Sequence, residues 1–270
     1  DTYIARITIT LLCVSPWYIF MSMNFLTHTF TLTCFLIAMV AVIRSRRTDK
    51  VFYAWLGGIA VGIIILIRPL EGIGAAGLLG LWIIGIGGKR LKFPSIGVFA
   101  LGIFLIGLVA MLYNYSLTGE LTKFPIMAYA DKTFGPGSNS IGFGPDRGLG
   151  WEHDPFPGHG LLDALVNANL NTFSVNIELF GWSTGALILI TIVFFSRTIR
   201  KSDYLMISII AVIIGIHTFY WFSGGPDFGA RYWYLIIVPC VVLAARGIQY
   251  LSNVIDSNST SVSCKGTTVI

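Results

Sequence analysis

Three stretches of the chain gather residue types that acid–base or phosphate chemistry uses. Arg68-Pro69-Leu70-Glu71 sets a guanidinium and a carboxylate three residues apart, at the end of the apolar run GIAVGIIILI. SGGPDFGARYWY sets Asp227 four residues before Arg231, at the start of another apolar run. Between them lies Gly144-Pro145-Asp146-Arg147-Gly148, followed by Glu152-His153-Asp154 and His159. Arginine's planar fork offers two charge-assisted hydrogen bonds to a phosphate or pyrophosphate. Arg68, Glu71, Arg147, Asp227 and Arg231 are therefore candidate substrate-binding residues, with Arg68 and Glu71 also able to pair with each other. Asp146, Glu152, Asp154 and His159 are candidate catalytic residues, because a general base must be a titratable group within reach of the proton it takes. Glu152-His153-Asp154 with His159 is also a candidate set for a divalent cation, although EHD…H is an unspecific pattern. His28 is a further candidate substrate ligand, a packing histidine being the plain alternative. His217 reads as a helix hydrogen-bonder.

The elements that must position these residues are set by composition. The chain has 270 residues, 55% of them hydrophobic and only 11% charged. Soluble domains carry about 25% charged residues, so the composition points to an integral membrane protein with an all-α, polytopic fold. Apolar segments fall near 5–22, 25–43, 52–68, 72–88, 95–115, 177–196, 203–222 and 232–250, and about 20 residues cross the hydrocarbon. About eight spans are expected.

Basic residues orient them. Arg44, Arg46, Arg47 and Lys50 share one short loop, Lys89, Arg90 and Lys92 a second, and Arg197, Arg200 and Lys201 a third. Under the positive-inside rule all three are cytoplasmic, as are both termini of this chain. The candidate residues then face the opposite, periplasmic, extracellular or lumenal side. Four parts follow: a first helix group over 1–115, an external loop over 116–176, the last three spans over 177–250 and a disordered cytoplasmic tail over 251–270. Gly and Pro punctuate the loop, but Phe143, Trp151 and Phe156 give it packing groups, so an ordered loop is expected. Leu161, Leu162, Leu165, Leu170 and Phe173 recur at helical spacing near its end, as in an amphipathic helix lying at a membrane interface.

Several classes are excluded or weakened. There is no GxxxxGK[ST] loop, HExxH or GxSxG. The excess of 18 basic over 13 acidic residues is concentrated in the short loops, which leaves no nucleic-acid patch. Cys13, Cys34, Cys240 and Cys264 have neither zinc nor disulfide spacing.

The stretch SPWYIFMSMNFLTHTFTLTCFLIAMVAVIRSRR, followed by AWLGGIAVGIIILIRPLEGI, resembles the middle of GT-C type polytopic membrane glycosyltransferases. These include the protein mannosyltransferases and the lipopolysaccharide and lipid A glycosyltransferases. The likeness rests on His28-Thr29 after an outer turn, the basic loop Arg44 to Lys50, the glycines from Gly57 to Gly62, and Arg68-Pro69. It implies a GT-C-like fold and transfer of a sugar from a polyprenyl-phosphate donor to a lipid, glycan or protein acceptor on the non-cytoplasmic face. It also implies a donor-pocket role for Arg68, which Arg231 shares by position. The family's principal aspartate lies in the first outer loop, before the stretch matched here. The resemblance thus implies that the chain is the C-terminal part of a longer enzyme, or that Asp146, Glu152 or Asp154 replaces that aspartate. A transporter or flippase for lipid-linked sugars, an O-antigen ligase or polymerase, and a non-catalytic membrane subunit are the rival expectations.

Overall fold

The apolar runs fold as helices, and prolines mark where several of them begin. The computed structural model describes residues 1–86, 89–149, 158–196, 198–222, 224 and 230–265, with side chains as far as 257. Among these residues the helices are α1 (Thr2–Cys13), α2 (Pro16–Ser22), α3 (His28–Thr48), α4 (Val51–Ile67), α5 (Pro69–Ile83), α6 (Phe93–Thr118), α7 (Pro125–Phe134), α8 (Leu161–Glu178), α9 (Leu187–Phe195), α10 (Lys201–His217) and α11 (Ile237–Lys265). A 3-10 turn, Arg231–Ile236, leads into α11. Pro16, Pro69, Pro94 and Pro125 stand in the first turns of α2, α5, α6 and α7, where a missing N–H breaks no helix bond. No strand occurs among the described residues. The one paired extended contact there is a bridge between Gly144 and His159.

Three helices, His28–Thr48, Phe93–Thr118 and Arg231–Ser257, are long and apolar enough to cross a membrane. The pair α1 and α2, bent by 59°, makes a fourth if it is counted as one span. The bend falls where Ser15 caps α2, its Oγ accepting from Tyr18 N at 3.3 Å and donating to Leu179 O at 2.6 Å. Helices α4 and α5, counted among the eight expected segments, are apolar but only 17 and 15 residues long. The expected span over 177–196 is interrupted. The chain leaves α8 at Glu178, turns through Gly181 and Gly185 at φ of 67° and 88°, and resumes as the 9-residue α9. Asn176 holds that turn, with Ala186 N donating to its backbone oxygen at 2.6 Å and Leu187 N to its side-chain oxygen at 3.0 Å. At the other end of the chain, α11 continues into the segment expected as a disordered tail. That segment has no Gly or Pro before Gly266 to stop a helix.

Small residues let α4 and α6 approach closely. A Cβ on Gly58 would collide with the Phe99 carbonyl oxygen, and one on Gly102 would stand 2.8 Å from Ile59 N. Across the helix group, Phe35, Ile64, Leu79, Ile213, Tyr234 and Leu243 are fully buried. The far side of α6 instead exposes Phe104, Leu105, Leu108 and Leu112. Helix α8 is inside-out for a water-soluble protein. Leu161, Leu162, Leu165, Leu170 and Phe173 face outward, while Asn171 is buried and Asn167 donates to Trp221 O at 2.9 Å. Such a distribution is stable where the surroundings are apolar, in keeping with a membrane protein.

The helices alternate between two ends. Helix α3 runs from His28 to the basic turn at Asp49, and α4 returns to Arg68. Helix α5 then leads away to Ile83, whose carbonyl accepts from Leu91 N at 3.0 Å. Helix α10 begins at Lys201 and ends at His217, close to where Arg231 opens the last long helix. The basic end is tied together. Lys89 and Lys92 bridge to Asp49 at 3.4 and 3.2 Å, and Arg46 Nε donates to Lys89 O at 2.7 Å. With 21 residues, α3 separates the two ends by about 31 Å, close to the hydrocarbon thickness.

Candidate functional site

At the end opposite the basic turns, Arg68 breaks the chain between α4 and α5. It precedes a proline and takes φ −139° and ψ 82°, outside the helical region, as steric conflict with the pyrrolidine ring requires. Its own N–H donates to Ile64 O at 2.7 Å and its carbonyl accepts from Gly72 N at 2.9 Å, so both helices stay anchored across the break. Gly72 permits the sharp return, since a Cβ there would lie 2.5 Å from Ile65 N. The side chain is largely buried, 12% exposed.

Four titratable residues meet there. Arg68 Nε donates to Glu71 Oε1, and Arg68 Nη1 lies 3.1 Å from His28 Nε2. A guanidinium has only donors, so His28 Nε2 must accept, and the neutral imidazole carries its proton on Nδ1. Glu71 Oε1 also stands 3.7 Å from His217 Nε2. His217 Nδ1 is 2.8 Å from Ile213 O and must donate to it, which turns Nε2 towards Glu71. Glu71, His28 and His217 are all buried. Burying such a cluster is costly unless its charges are mutually paired, which the Arg68–Glu71 contact provides.

Aromatic rings close the cluster. The Arg68 and Arg231 guanidinium carbons lie 5.1 and 5.4 Å from the centroid of the Tyr232 ring, and Arg231 is also 5.3 Å from Phe222. Arg68, Glu71, His217, Tyr220 and Tyr232 form the polar end of a cavity of about 330 Å³. Its remaining wall is mostly apolar, with Ile67, Leu70 and Ile73 on one side and Phe124, Ile126 and Met127 of the loop on the other. Glu71 is the one carboxylate among the described residues that line it.

The described part of the long loop is latched to the end of α10. Asn139 Oδ1 accepts from Tyr220 Oη at 3.1 Å and from Trp221 Nε1 at 3.0 Å. Gly142 N donates to Phe219 O at 2.7 Å. His159 Nε2 donates to Thr218 O at 3.0 Å, and its ring packs on Phe143. Ahead of the latch, Asp131 binds Gly137 N at 2.8 Å and Lys123 Nζ at 3.0 Å. These two donors, the Gly137 N–H foremost, hold the Asp131 carboxyl below its ordinary value, and the same contact raises Lys123.

The candidates from the sequence thus separate. His28, Arg68 and Arg231 gather around the Tyr232 ring, with Glu71 held by Arg68. Arg147 donates to Gly137 O at 2.9 Å and to Gly142 O at 3.4 Å, holding the loop's own turns. Asp146 is exposed, and buried His159 serves the latch. Glu152, Asp154 and Asp227 lie outside the described residues. Among the described residues no group of three His, Cys, Asp or Glu side chains is arranged to hold a metal ion.

Sequence reasoning underrated His217 and did not single out Tyr220, Tyr232 or Asn139. It also passed over Asp203 and Arg246, buried side chains paired at 3.3 Å where α10 meets α11. Arg246 Nη2 also donates to Thr198 O at 2.8 Å. The available signal was a lone arginine in the apolar run VVLAARGI, which demands a partner. Compared with known proteins, the chain matches no family model, no curated protein and no solved structure.

Proposed function

We propose that the protein is a polytopic membrane glycosyltransferase, GT-C-like with about eight crossings, that moves a sugar from a polyprenyl-phosphate donor to a lipid, glycan or protein acceptor. In this reading the shorter helices cross together with the longer ones, and the Arg68 end faces the periplasm, exterior or lumen. The observation that carries the proposal is the amphiphilic cavity of about 330 Å³: a mostly apolar wall ends on a buried arginine–carboxylate–histidine cluster.

Arg68, with Arg231 beside the same ring, holds the phosphate, whose charge rises as the sugar's anomeric carbon–oxygen bond breaks and the phosphate keeps the electron pair. The acceptor oxygen bonds to the anomeric carbon and gives its proton to Glu71. In this reading Glu71 takes the role for which the sequence offered Asp146, Glu152 and Asp154.

The proposal is tested with the full chain in vesicles containing its native membrane lipids and polyprenyl-phosphate sugars. Release of free polyprenyl phosphate is followed by mass spectrometry. Turnover by the unaltered chain, reduced at least a hundredfold in Glu71→Gln, is expected. Equal turnover by the two proteins, or none with any donor, would count against it.

A further inference from the structure

A second groove lies on the outer side of α3 and α4, towards the basic end. Thr33, Ile37, Val40 and Arg44 follow one another down α3 at helical spacing, and Tyr53 and Leu56 of α4 form the facing wall of a space of about 320 Å³. The Thr33 hydroxyl is satisfied within α3, donating to Thr29 O at 2.9 Å, so it presents its methyl side without an open polar demand. Ile37 and Val40 are exposed, which is unfavourable in water and natural against acyl chain. From Thr33 to Arg44 the groove runs about 16 Å along the helix.

Its basic end has a different character. The Arg44 guanidinium carbon lies 5.8 Å from the Tyr53 ring centroid. Among the described residues no carboxylate stands within ion-pair distance of it, and Asp49, the acidic residue of that turn, is already held by Lys89 and Lys92. Arg47 and Lys50 add further positive charge to the same turn. An apolar channel that opens beneath an arginine matches a ligand with a hydrocarbon tail and an anionic head.

We infer that this groove is a binding site for an anionic glycerophospholipid, one acyl chain lying along α3 and the phosphodiester meeting Arg44. The site is separate from the cavity at Arg68 and does not depend on what that cavity binds.

Native mass spectrometry of the full chain released from nanodiscs tests it, with phosphatidylglycerol compared against phosphatidylcholine. One phosphatidylglycerol is expected to be retained preferentially. Arg44→Ala should weaken that retention on the order of tenfold, the loss of one charge-assisted contact. Arg47→Ala, with the same loss of charge outside the groove, should change it less than twofold. Val40→Trp fills the channel with Arg44 intact and should also abolish the preference, which keeps the test decisive if Arg44→Ala misfolds. Soluble glycerol phosphate should not displace the lipid. Equal retention of the two lipids, equal effects of Arg44→Ala and Arg47→Ala, or displacement by glycerol phosphate would overturn the inference.

Discussion

Glu71 Oε1 and His217 Nε2 face each other across 3.7 Å, one at the start of α5 and the other at the end of α10. The pair exists because α10 packs against α5 through Gly74, where a Cβ would come within 2.9 Å of Ile216 Cδ1. Arg68 completes the arrangement from the break between α4 and α5. A carboxylate buried between a guanidinium and an imidazole is costly to build and costly to disturb.

Glu71→Gln leaves the buried Arg68 charge without its partner. Thermal unfolding in detergent is expected to show a loss of about 3 kcal/mol. Replacing both members, as in Arg68→Met with Glu71→Met, should regain much of that stability while turnover stays absent. A double variant no more stable than the single one would show that the pair is not an isolated charge unit.

Glycines on α4 and α6 differ sharply in what surrounds them. Gly58→Ala drives a methyl group into the Phe99 carbonyl and should destabilise by about 1–3 kcal/mol. A Cβ on Gly107 meets nothing within 4 Å, so Gly107→Ala should be neutral or stabilise by up to about 1 kcal/mol through helix propensity. Melting temperatures of the two variants check the contrast. Equal shifts would mean that α4 and α6 do not touch along this seam.

The Asp131 contacts give the loop a pH dependence of definite sign. Its carboxyl is held below the ordinary 3.8, so its contribution is complete above that value and lost as pH falls through the lower folded value. Lys123 is raised above 10.5, so its contribution is complete below that and lost only at higher pH. Protection of the Gly137 amide against hydrogen exchange, corrected for intrinsic rate, should be flat from about pH 5 to 9 and fall below about pH 4. In Asp131→Asn the fall should vanish. A steep change near neutrality would assign the loop's stability to other groups.

Local chemistry was legible in the sequence, and long-range convergence was not. Arg68-Pro69-Leu70-Glu71 announces itself because proline fixes the break and a three-residue spacing brings the two charges together within one turn. The two-ended distribution of charge could be read from the short basic loops alone. His217 and Tyr232 gave no comparable signal, since nothing near either residue shows that α10 and the 3-10 turn meet beside α5. Arg147 has the residue type of a phosphate ligand, yet the glycine-rich turns around it present carbonyls that need a donor, and it serves them. The strongly apolar run over Leu187–Phe195 drew the expected span back across the turn that Asn176 and the two glycines impose. Asp203 and Arg246 were masked for a related reason, each reading as an isolated exception until the helices that carry them are packed together.

The central claim is that Arg68 holds the phosphate of an isoprenoid donor. The most direct measurement is equilibrium binding of a short-chain polyprenyl phosphate to the purified full chain, alongside Arg68→Ala and Arg68→Lys. Saturable binding is expected, weakened by on the order of a hundredfold in Arg68→Ala and only partly restored by lysine, which supplies the charge without the planar fork. Uncharged polyprenol should bind the two variants and the unaltered chain alike. Phosphate binding that is unchanged in Arg68→Ala would contradict the account.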